Sequence, residues 1–348
     1  MVTRYDLDRD GVGALLEGHP RYRVDQVWEG LYAQGREPSE ITNLPAALRA
    51  ELDEHLPPAL TERARLVGDG GETVKWAWEV DGGHRVETVL LHYPKRSTVC
   101  VSTQAGCAMA CGFCATGQAG FGRHLSVGEI VEQVVRARRE AGDRRLSNVV
   151  FMGMGEPLAN YDATWAAVER LHADLGLGAR SLTISTVGVV PGIRRLASES
   201  LPVNLAVSLH AANDARRDEL VPINRRYPLA VLEEACAEWQ QARNRRLSFE
   251  WAMIADTNDG PSDADELAAI ARRHRAHVNL IPLNPTPGFG TRGSSPEAVE
   301  AFRRRLADAG VNVTVRQNRG NDIDAACGQL AGSTTPVTLN APGRSPGR

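Results

Sequence analysis

The chain has 348 residues, 42% of them hydrophobic, with a formal net charge of −3 and a pI near 6.3. That is enough to bury one large core with room for a small accessory domain, and no run approaches the ~18 apolar residues of a membrane helix. The charge balance neither announces nor excludes a nucleic-acid partner, and six cysteines are too sparse for a disulfide scaffold, so a reducing cytoplasm with no membrane partner is the expected setting. The opening run Met1-Val2-Thr3-Arg4-Tyr5-Asp6-Leu7-Asp8 lacks the apolar segment of a signal peptide. Residues from about 5 to 60 read as short helices: Val27, Trp28, Leu31 and Tyr32 give Asp25 to Ala33 an amphipathic spacing, and Leu44 to Leu56 offers another such segment. Pro57-Pro58 ends this region, and two strand-like runs, Thr73 to Val80 and Val86 to Tyr93, flank the turn signal Asp81-Gly82-Gly83 as a β-hairpin.

From Thr98 onward strand and helix alternate. Strands are expected at Thr98 to Thr103, Asn148 to Gly153, Leu182 to Val187, Asn204 to Leu209, Leu247 to Ile254 and Val278 to Leu283. Ser126 with Glu129 forms a capping box before a helix, and helices are expected at Tyr161 to His172, Leu229 to Arg243, Asp263 to His274 and Pro296 to Ala309. Six βα units predict an α/β fold with a helix-covered parallel sheet, too few for a complete eight-stranded barrel. The expected organisation is a helical accessory region at 1–65, a hairpin extension at 66–96, a core at 97–330 and a disordered tail at 331–348. Arginines cluster at Arg136, Arg138 and Arg139, at Arg144-Arg145, Arg216-Arg217 and Arg225-Arg226, at Arg243, Arg245 and Arg246, at Arg272, Arg273 and Arg275, and at Arg303 to Arg305, patterns that usually mark solvated helix faces.

Cys107, Cys111 and Cys114 place three thiols within eight residues. A four-iron cube takes four ligands, so three thiolates leave one iron open. A zinc site borrowing a fourth ligand and three unrelated buried thiols are the competing readings. The Cys-x3-Cys-x2-Cys spacing resembles that of the radical S-adenosylmethionine (SAM) enzymes. The resemblance implies a 4Fe-4S cluster whose open iron binds the amine and carboxylate of SAM, and a partial (β/α)6 barrel as the core.

Polar residues recur where the predicted strands end, which in parallel sheets is where chemistry gathers. Gly155 and Glu156 follow the second core strand, Ser185 ends the third, Ser208, Leu209 and His210 end the fourth, and Asn284 follows the sixth. Each alone is unremarkable; together they describe a pocket. Glu156 or the backbone beside Gly155 suits the SAM ammonium, and Ser185, Ser208, the backbone near Leu209 and His210, and Asn284 suit the ribose and adenine.

Of the other thiols, Cys236 reads as a small buried residue of a helix, whereas Cys100 precedes the triad by seven residues and Cys327 stands far downstream. The runs Cys100 to Cys107, Phe151 to Pro157, Ser208 to Ala211, Ile281 to Pro285 and Asp324 to Leu330 closely resemble the radical SAM adenine carbon-2 methyltransferases, the RlmN family. The likeness runs from roughly Trp76 to Leu330, and the helical amino-terminal region is loosely similar to that family's RNA-binding accessory domain. The resemblance implies methylation of carbon 2 of an adenine in the peptidyl transferase centre of 23S rRNA and of the adenine 3′ to the anticodon in tRNA, in the cytoplasm, with flavodoxin or ferredoxin as electron donor.

Carbon 2 of adenine is electron-poor and does not attack the methyl of SAM directly. The resemblance implies two SAM molecules: the Cys327 thiolate takes a methyl from the first, and a 5′-deoxyadenosyl radical from the second removes a hydrogen from that methyl. The resulting radical adds to the base; Cys100 removes the carbon-2 proton and then attacks the Cys327 sulfur, freeing the methylated base and leaving a transient disulfide. Glu87 matches a family proton acceptor, with an exposed strand glutamate as the alternative. Arg123-His124, Arg316 with Arg319 and the amino-terminal helices are the candidate RNA contacts. A related carbon-8 methyltransferase and a non-catalytic iron-sulfur or zinc module binding RNA are the alternative readings.

Overall fold

The structure, a computed structural model, describes residues 2–284, 286, 290, 292–317, 319–326 and 328–330. Cys327 and the expected tail at 331–348 lie outside the described residues. Twelve strands are present among the described residues: β1 (Thr61–Gly68), β2 (Thr73–Val80), β3 (His84–Tyr93), β4 (Arg96–Cys100), β5 (Gln104–Gly106), β6 (Phe121–His124), β7 (Leu146–Phe151), β8 (Leu182–Thr186), β9 (Asn204–Ser208), β10 (Ser248–Met253), β11 (His277–Pro282) and β12 (Asn312–Val315). Ten form one sheet in the order β1-β2-β3-β4-β7-β8-β9-β10-β11-β12, and β5 pairs with β6 apart from it. β1 to β4 pair antiparallel, and every pairing from β4 through β12 is parallel.

The six expected core strands are all present, and β12 adds a seventh to the parallel run. Side chains alternate across a strand, and here the two faces differ in kind. Val99, Val149, Phe151, Ile184, Leu205, Val207, Phe249, Trp251, Val278 and Leu280 are buried in the hydrophobic core. The residues between them include Cys100, Asn148, Thr183, Ser185, Ser208, Ser248, Glu250 and Asn279. That second face lines the inside of the partial barrel and is polar, with Asn279 donating to Glu250 Oε2 at 2.8 Å and Ser248 Oγ donating to Oε1 at 2.9 Å.

The α-helices among the described residues are α1 (Arg9–Leu15), α2 (Tyr22–Trp28), α3 (Ala46–His55), α4 (Ala115–Gln118), α5 (Val127–Ala141), α6 (Tyr161–Ala173), α7 (Val190–Ser198), α8 (Asp214–Leu220), α9 (Leu229–Arg243), α10 (Pro261–Arg273) and α11 (Pro296–Asp308). The capping box at α5 forms: Ser126 Oγ accepts from Glu129 N at 3.2 Å, and Glu129 Oε2 accepts from Ser126 N at 2.8 Å. The amino-terminal helices dock on α5 and α6. Arg170 of α6 donates to the carbonyls of Tyr5 and Leu7, Trp28 Nε1 donates to Asp174 at 2.9 Å, and Gly128 N donates to Asp6 Oδ1 at 2.7 Å. No helix among the described residues is long and apolar enough to cross a membrane.

Four strands escaped the sequence reading: β1, β12 and the short pair β5 and β6 that flank the triad. β1, Thr-Glu-Arg-Ala-Arg-Leu-Val-Gly, is an edge strand whose charged side chains face outward, with Arg63 paired to Glu79 and Arg65 to Glu140; edges are commonly protected this way. β12 is only four residues long and half exposed. The chain after β12 returns across the sheet extension: Arg319 Nη1 donates to His92 O at 2.7 Å, Gly320 N to Asp69 Oδ2 at 2.8 Å, and Lys75 Nζ to Asp324 O at 3.1 Å. Gly320 turns with φ +68°, and a Cβ there would stand 2.6 Å from that of Ala325. The same segment then meets the cysteine loop, where Ala115 N donates to Gly328 O at 2.8 Å and Thr116 Oγ1 to Leu330 O at 2.6 Å. Residues 319–330 therefore join β1–β3 to the loop that carries the triad. Leu90 of β3 is fully buried, and Leu90→Ala is expected to destabilise the fold by about 2–5 kcal/mol in chemical denaturation.

Candidate active site at the carboxyl ends of the parallel strands

The loop after β4 is zipped to the loop after β7. Val101 N donates to Val150 O and Gly153 N to Val101 O, each at 3.0 Å, and Thr103 N donates to Met154 O at 2.8 Å. Gly153 is required by this approach, since a Cβ would lie 2.7 Å from the carbonyl group of Val101. The β5–β6 hairpin then brackets the triad: Cys107 N donates to Gly120 O at 2.7 Å, Cys114 N to Cys111 O at 3.1 Å, and Gln118 Nε2 to Gly112 O at 2.7 Å. All three thiols line one cavity of about 160 Å³.

The donor set fits an iron-sulfur cluster. Burial pushes the Cys107 thiol up to about 12 and that of Cys111 in the same direction, so a thiolate there requires a cationic centre to bind. Three cysteines on one cavity wall supply three of the four ligands that a four-iron cube takes.

Gly155, Glu156, Ser185, Ser208 and His210 line the same cavity. Gly155 has φ +100°, and a Cβ would stand 2.7 Å from Gln104 N, which only glycine accommodates. Glu156 is almost fully buried; its Oε1 accepts from Leu158 N at 3.0 Å and its Oε2 from Val187 N at 2.9 Å. Burial nevertheless pushes its carboxyl up to about 7, against those hydrogen bonds. Ser185 Oγ and Ser208 Oγ stand 3.4 Å apart across β8 and β9. His210 has φ +59°, and its Nδ1 accepts from Ala252 N at 3.0 Å, which places the proton of the neutral ring on Nε2. Burial and the neighbouring Arg217 push this ring down to about 3, and Phe113 packs edge-on at 4.7 Å.

Leu209 stands behind this wall. The Leu209 side chain belongs to the core, its N–H donates to Glu250 O at 3.0 Å, and its carbonyl accepts from Arg217 Nε at 3.1 Å. Asn284 is buried just after β11. Cys100 and Glu87 also lie outside the cavity wall, on the sheet extension side. Cys100 is opposite Val89 in the ladder and Glu87 is two residues from Val89, so both sit on the same face. Glu87 is buried rather than exposed, and its Oε2 lies 3.3 Å from Lys75 Nζ. For Cys327, the described neighbours are informative: Gly328 lines the cavity and Ala326 N donates to Gln329 Oε1 at 3.2 Å. Cys236 is buried in α9.

Arg217 was hidden in what looked like a solvated pair. It is fully buried, and its guanidinium donates to Leu209 O, to Asn224 Oδ1 at 2.8 Å and to Val187 O at 2.6 Å. One cation thereby ties the ends of β8 and β9, just where the pocket opens. Glu250 was missed too, because an acidic residue inside an apolar strand has no local signature; it lines the cavity. The candidate RNA contacts are engaged within the chain: Arg123 pairs with Glu129 through Nη1 and Nη2, and Arg319 stacks over Tyr93 at 4.6 Å. Arg316 lines the cavity.

The radical SAM superfamily profile matches residues 101–268. The chain is 52% identical to the probable dual-specificity RNA methyltransferase RlmN of Frankia alni, covering 94% of this chain and 82% of that protein. It is 50% identical to the dual-specificity RNA methyltransferase RlmN 1 of Myxococcus xanthus, covering 94% and 93%. A crystal structure of a radical SAM methyltransferase from Sphaerobacter thermophilus superposes with a TM-score of 0.93 at 46% identity, over 96% of this chain and all of that one. Likeness of this extent establishes that the chain belongs to the RlmN family of dual-specificity RNA methyltransferases, within the radical SAM superfamily.

Proposed function

We propose that this enzyme methylates carbon 2 of adenine in 23S rRNA and in tRNA, passing the methyl through Cys327. The observation that carries the reading is the meeting of the triad loop with the segment on either side of Cys327: Gly328 shares the cavity with Cys107, Cys111 and Cys114 and accepts from Ala115 N. In this reading Cys107, Cys111 and Cys114 hold a 4Fe-4S cluster with one iron open to SAM. When bound, the cluster supplies the electron that converts SAM to a 5′-deoxyadenosyl radical.

The protein groups have distinct tasks. Glu156 and the backbone at Gly155 face the SAM ammonium, while Ser185, Ser208, the backbone at Leu209 and His210, and Asn284 meet the ribose and adenine. His210 is suited to donate from Nε2, since its Nδ1 is occupied. The Cys327 sulfur accepts the methyl as a nucleophile, which requires its thiolate. Once that carbon is joined to the base, Cys100 and Glu87 handle the carbon-2 proton on their shared face. The unpaired electron left on the adduct would return to the cluster; the Cys100 thiolate then attacks the Cys327 sulfur, the carbon–sulfur bond breaks with its electron pair left on the methylene carbon, and that carbon takes a proton to become the methyl group as the disulfide forms. A cellular thiol reduces the disulfide. A flavodoxin or ferredoxin in the cytoplasm is the electron donor we favour.

Product analysis tests the regiochemistry. Digested RNA from the anaerobic reaction is expected to contain 2-methyladenosine by mass spectrometry; 8-methyladenosine in its place would establish the carbon-8 alternative. Replacing any one of Cys107, Cys111 and Cys114 by Ala is expected to abolish SAM cleavage and the iron-sulfur absorbance of the reconstituted protein. Cys100→Ala is expected to accumulate a covalent protein–RNA adduct, visible as a shifted band on a denaturing gel. Free methylated RNA at normal yield from that variant would remove Cys100 from the mechanism.

A further inference from the structure

Lys75 occupies an unusual place for a lysine. It lies in β2, opposite Val89 of β3, which in turn lies opposite Cys100 of β4. Directly paired residues share a face, so Lys75 and Cys100 stand in one row, with Glu87 diagonal to Lys75 on the same side. The ammonium is 3.3 Å from Glu87 Oε2 and 3.1 Å from Asp324 O. Its side chain is 5% exposed and that of Glu87 is 1% exposed.

Stability alone does not account for this arrangement. Taking an ammonium and a carboxylate out of water costs several kcal/mol per ion, and well-packed apolar replacements are often neutral or stabilising. What the ion pair provides that an apolar pair lacks is a carboxylate kept in its charged form on an otherwise desolvated face. Lys75 also holds a backbone carbonyl three residues before Cys327. The segment is further seated by Asp69, whose N–H donates to Asp322 Oδ2 at 3.2 Å and whose Oδ2 accepts from Gly320 N.

We propose that Lys75 is a positioning residue: its ammonium holds Glu87 as an anion and fixes the Asp324 carbonyl, so that the proton acceptor and the methyl-carrying segment keep one geometry. The inference rests on the reading of Glu87 as proton acceptor and Cys327 as methyl carrier. It separates the two halves of the reaction. Methyl transfer to Cys327 needs no proton acceptor for the base, whereas release of methylated RNA does.

The test uses the full-length, cluster-reconstituted enzyme under anaerobic conditions, with methyl-labelled SAM and a tRNA transcript. Label is counted on the Cys327 peptide and in RNA for the wild type, Lys75→Met, Lys75→Arg and Glu87→Gln. Lys75→Met is expected to methylate Cys327 within about twofold of wild type while losing about 10- to 100-fold in RNA methylation, at or below the lower bound of the roughly 100- to 10,000-fold that a positioned acid–base group supplies. Lys75→Arg, which keeps the charge, is expected to recover most of that loss. Unchanged RNA methylation in Lys75→Met overturns the proposal. So does an equal loss in both halves, which is the signature of a segment merely unseated. Full RNA methylation by Glu87→Gln instead overturns the role of Glu87 itself. If Lys75→Met does not fold, Lys75→Gln keeps a donor for the Asp324 carbonyl and removes only the charge; the same outcomes decide.

Discussion

A parallel sheet that does not close on itself leaves its first and last strands apart, and the chain must bridge that opening to build a pocket inside. Here the bridge is the hydrogen-bonded return of residues 319–330, from β12 across β1–β3 and onto the triad loop. Backbone groups cannot be left unpaired when buried, and this segment finds its partners in Asp69, Lys75, Ala115 and Thr116. The antiparallel extension therefore serves as the seat of the carboxyl-terminal segment. Without it, Gly328 has no reason to stand at the wall shared by the three thiols.

Buried charges hold the mouth of the pocket open. Arg217 ties strand ends through carbonyls that have no ladder partner, and Glu156 does the reverse with the N–H groups of Leu158 and Val187. Removing one member of a buried, hydrogen-bonded charge arrangement costs about 3–5 kcal/mol in general. The many surface pairs, such as Arg194 with Glu238 or Arg305 with Asp265, contribute only about 0–1 kcal/mol each. Most arginine clusters in this chain belong to that second kind; Arg217 is the exception that shapes the site.

Legibility in the sequence followed the range of the interaction. The six core strands were readable because their outward residues are continuously apolar, and α5 because Ser126 and Glu129 cap it locally. The triad was readable because its spacing is chemistry written in consecutive residues. β1 was not, since Glu62, Arg63 and Arg65 give an edge strand no apolar signal and its pairing with β2 supplies the order. β12 was too short. Lys75, Arg217 and Glu250 were invisible for a related reason: each is a charged residue whose partner lies across the sheet or on another element, so no local pattern announces its burial. The cavity groups at Gly155, Glu156, Ser185, Ser208 and His210 came together because strand ends in a parallel sheet share one rim. The Leu209 side chain belongs to the core behind it.

The central claim is that the methyl travels on the protein before it reaches RNA. It is tested most directly by incubating the reconstituted enzyme with methyl-labelled SAM and no RNA, then mapping the label by peptide mass spectrometry. One labelled methyl on the peptide containing Cys327, transferable to RNA when RNA and unlabelled SAM are added, is the predicted result. Label absent from that peptide, with RNA still methylated at its normal rate, would contradict the account.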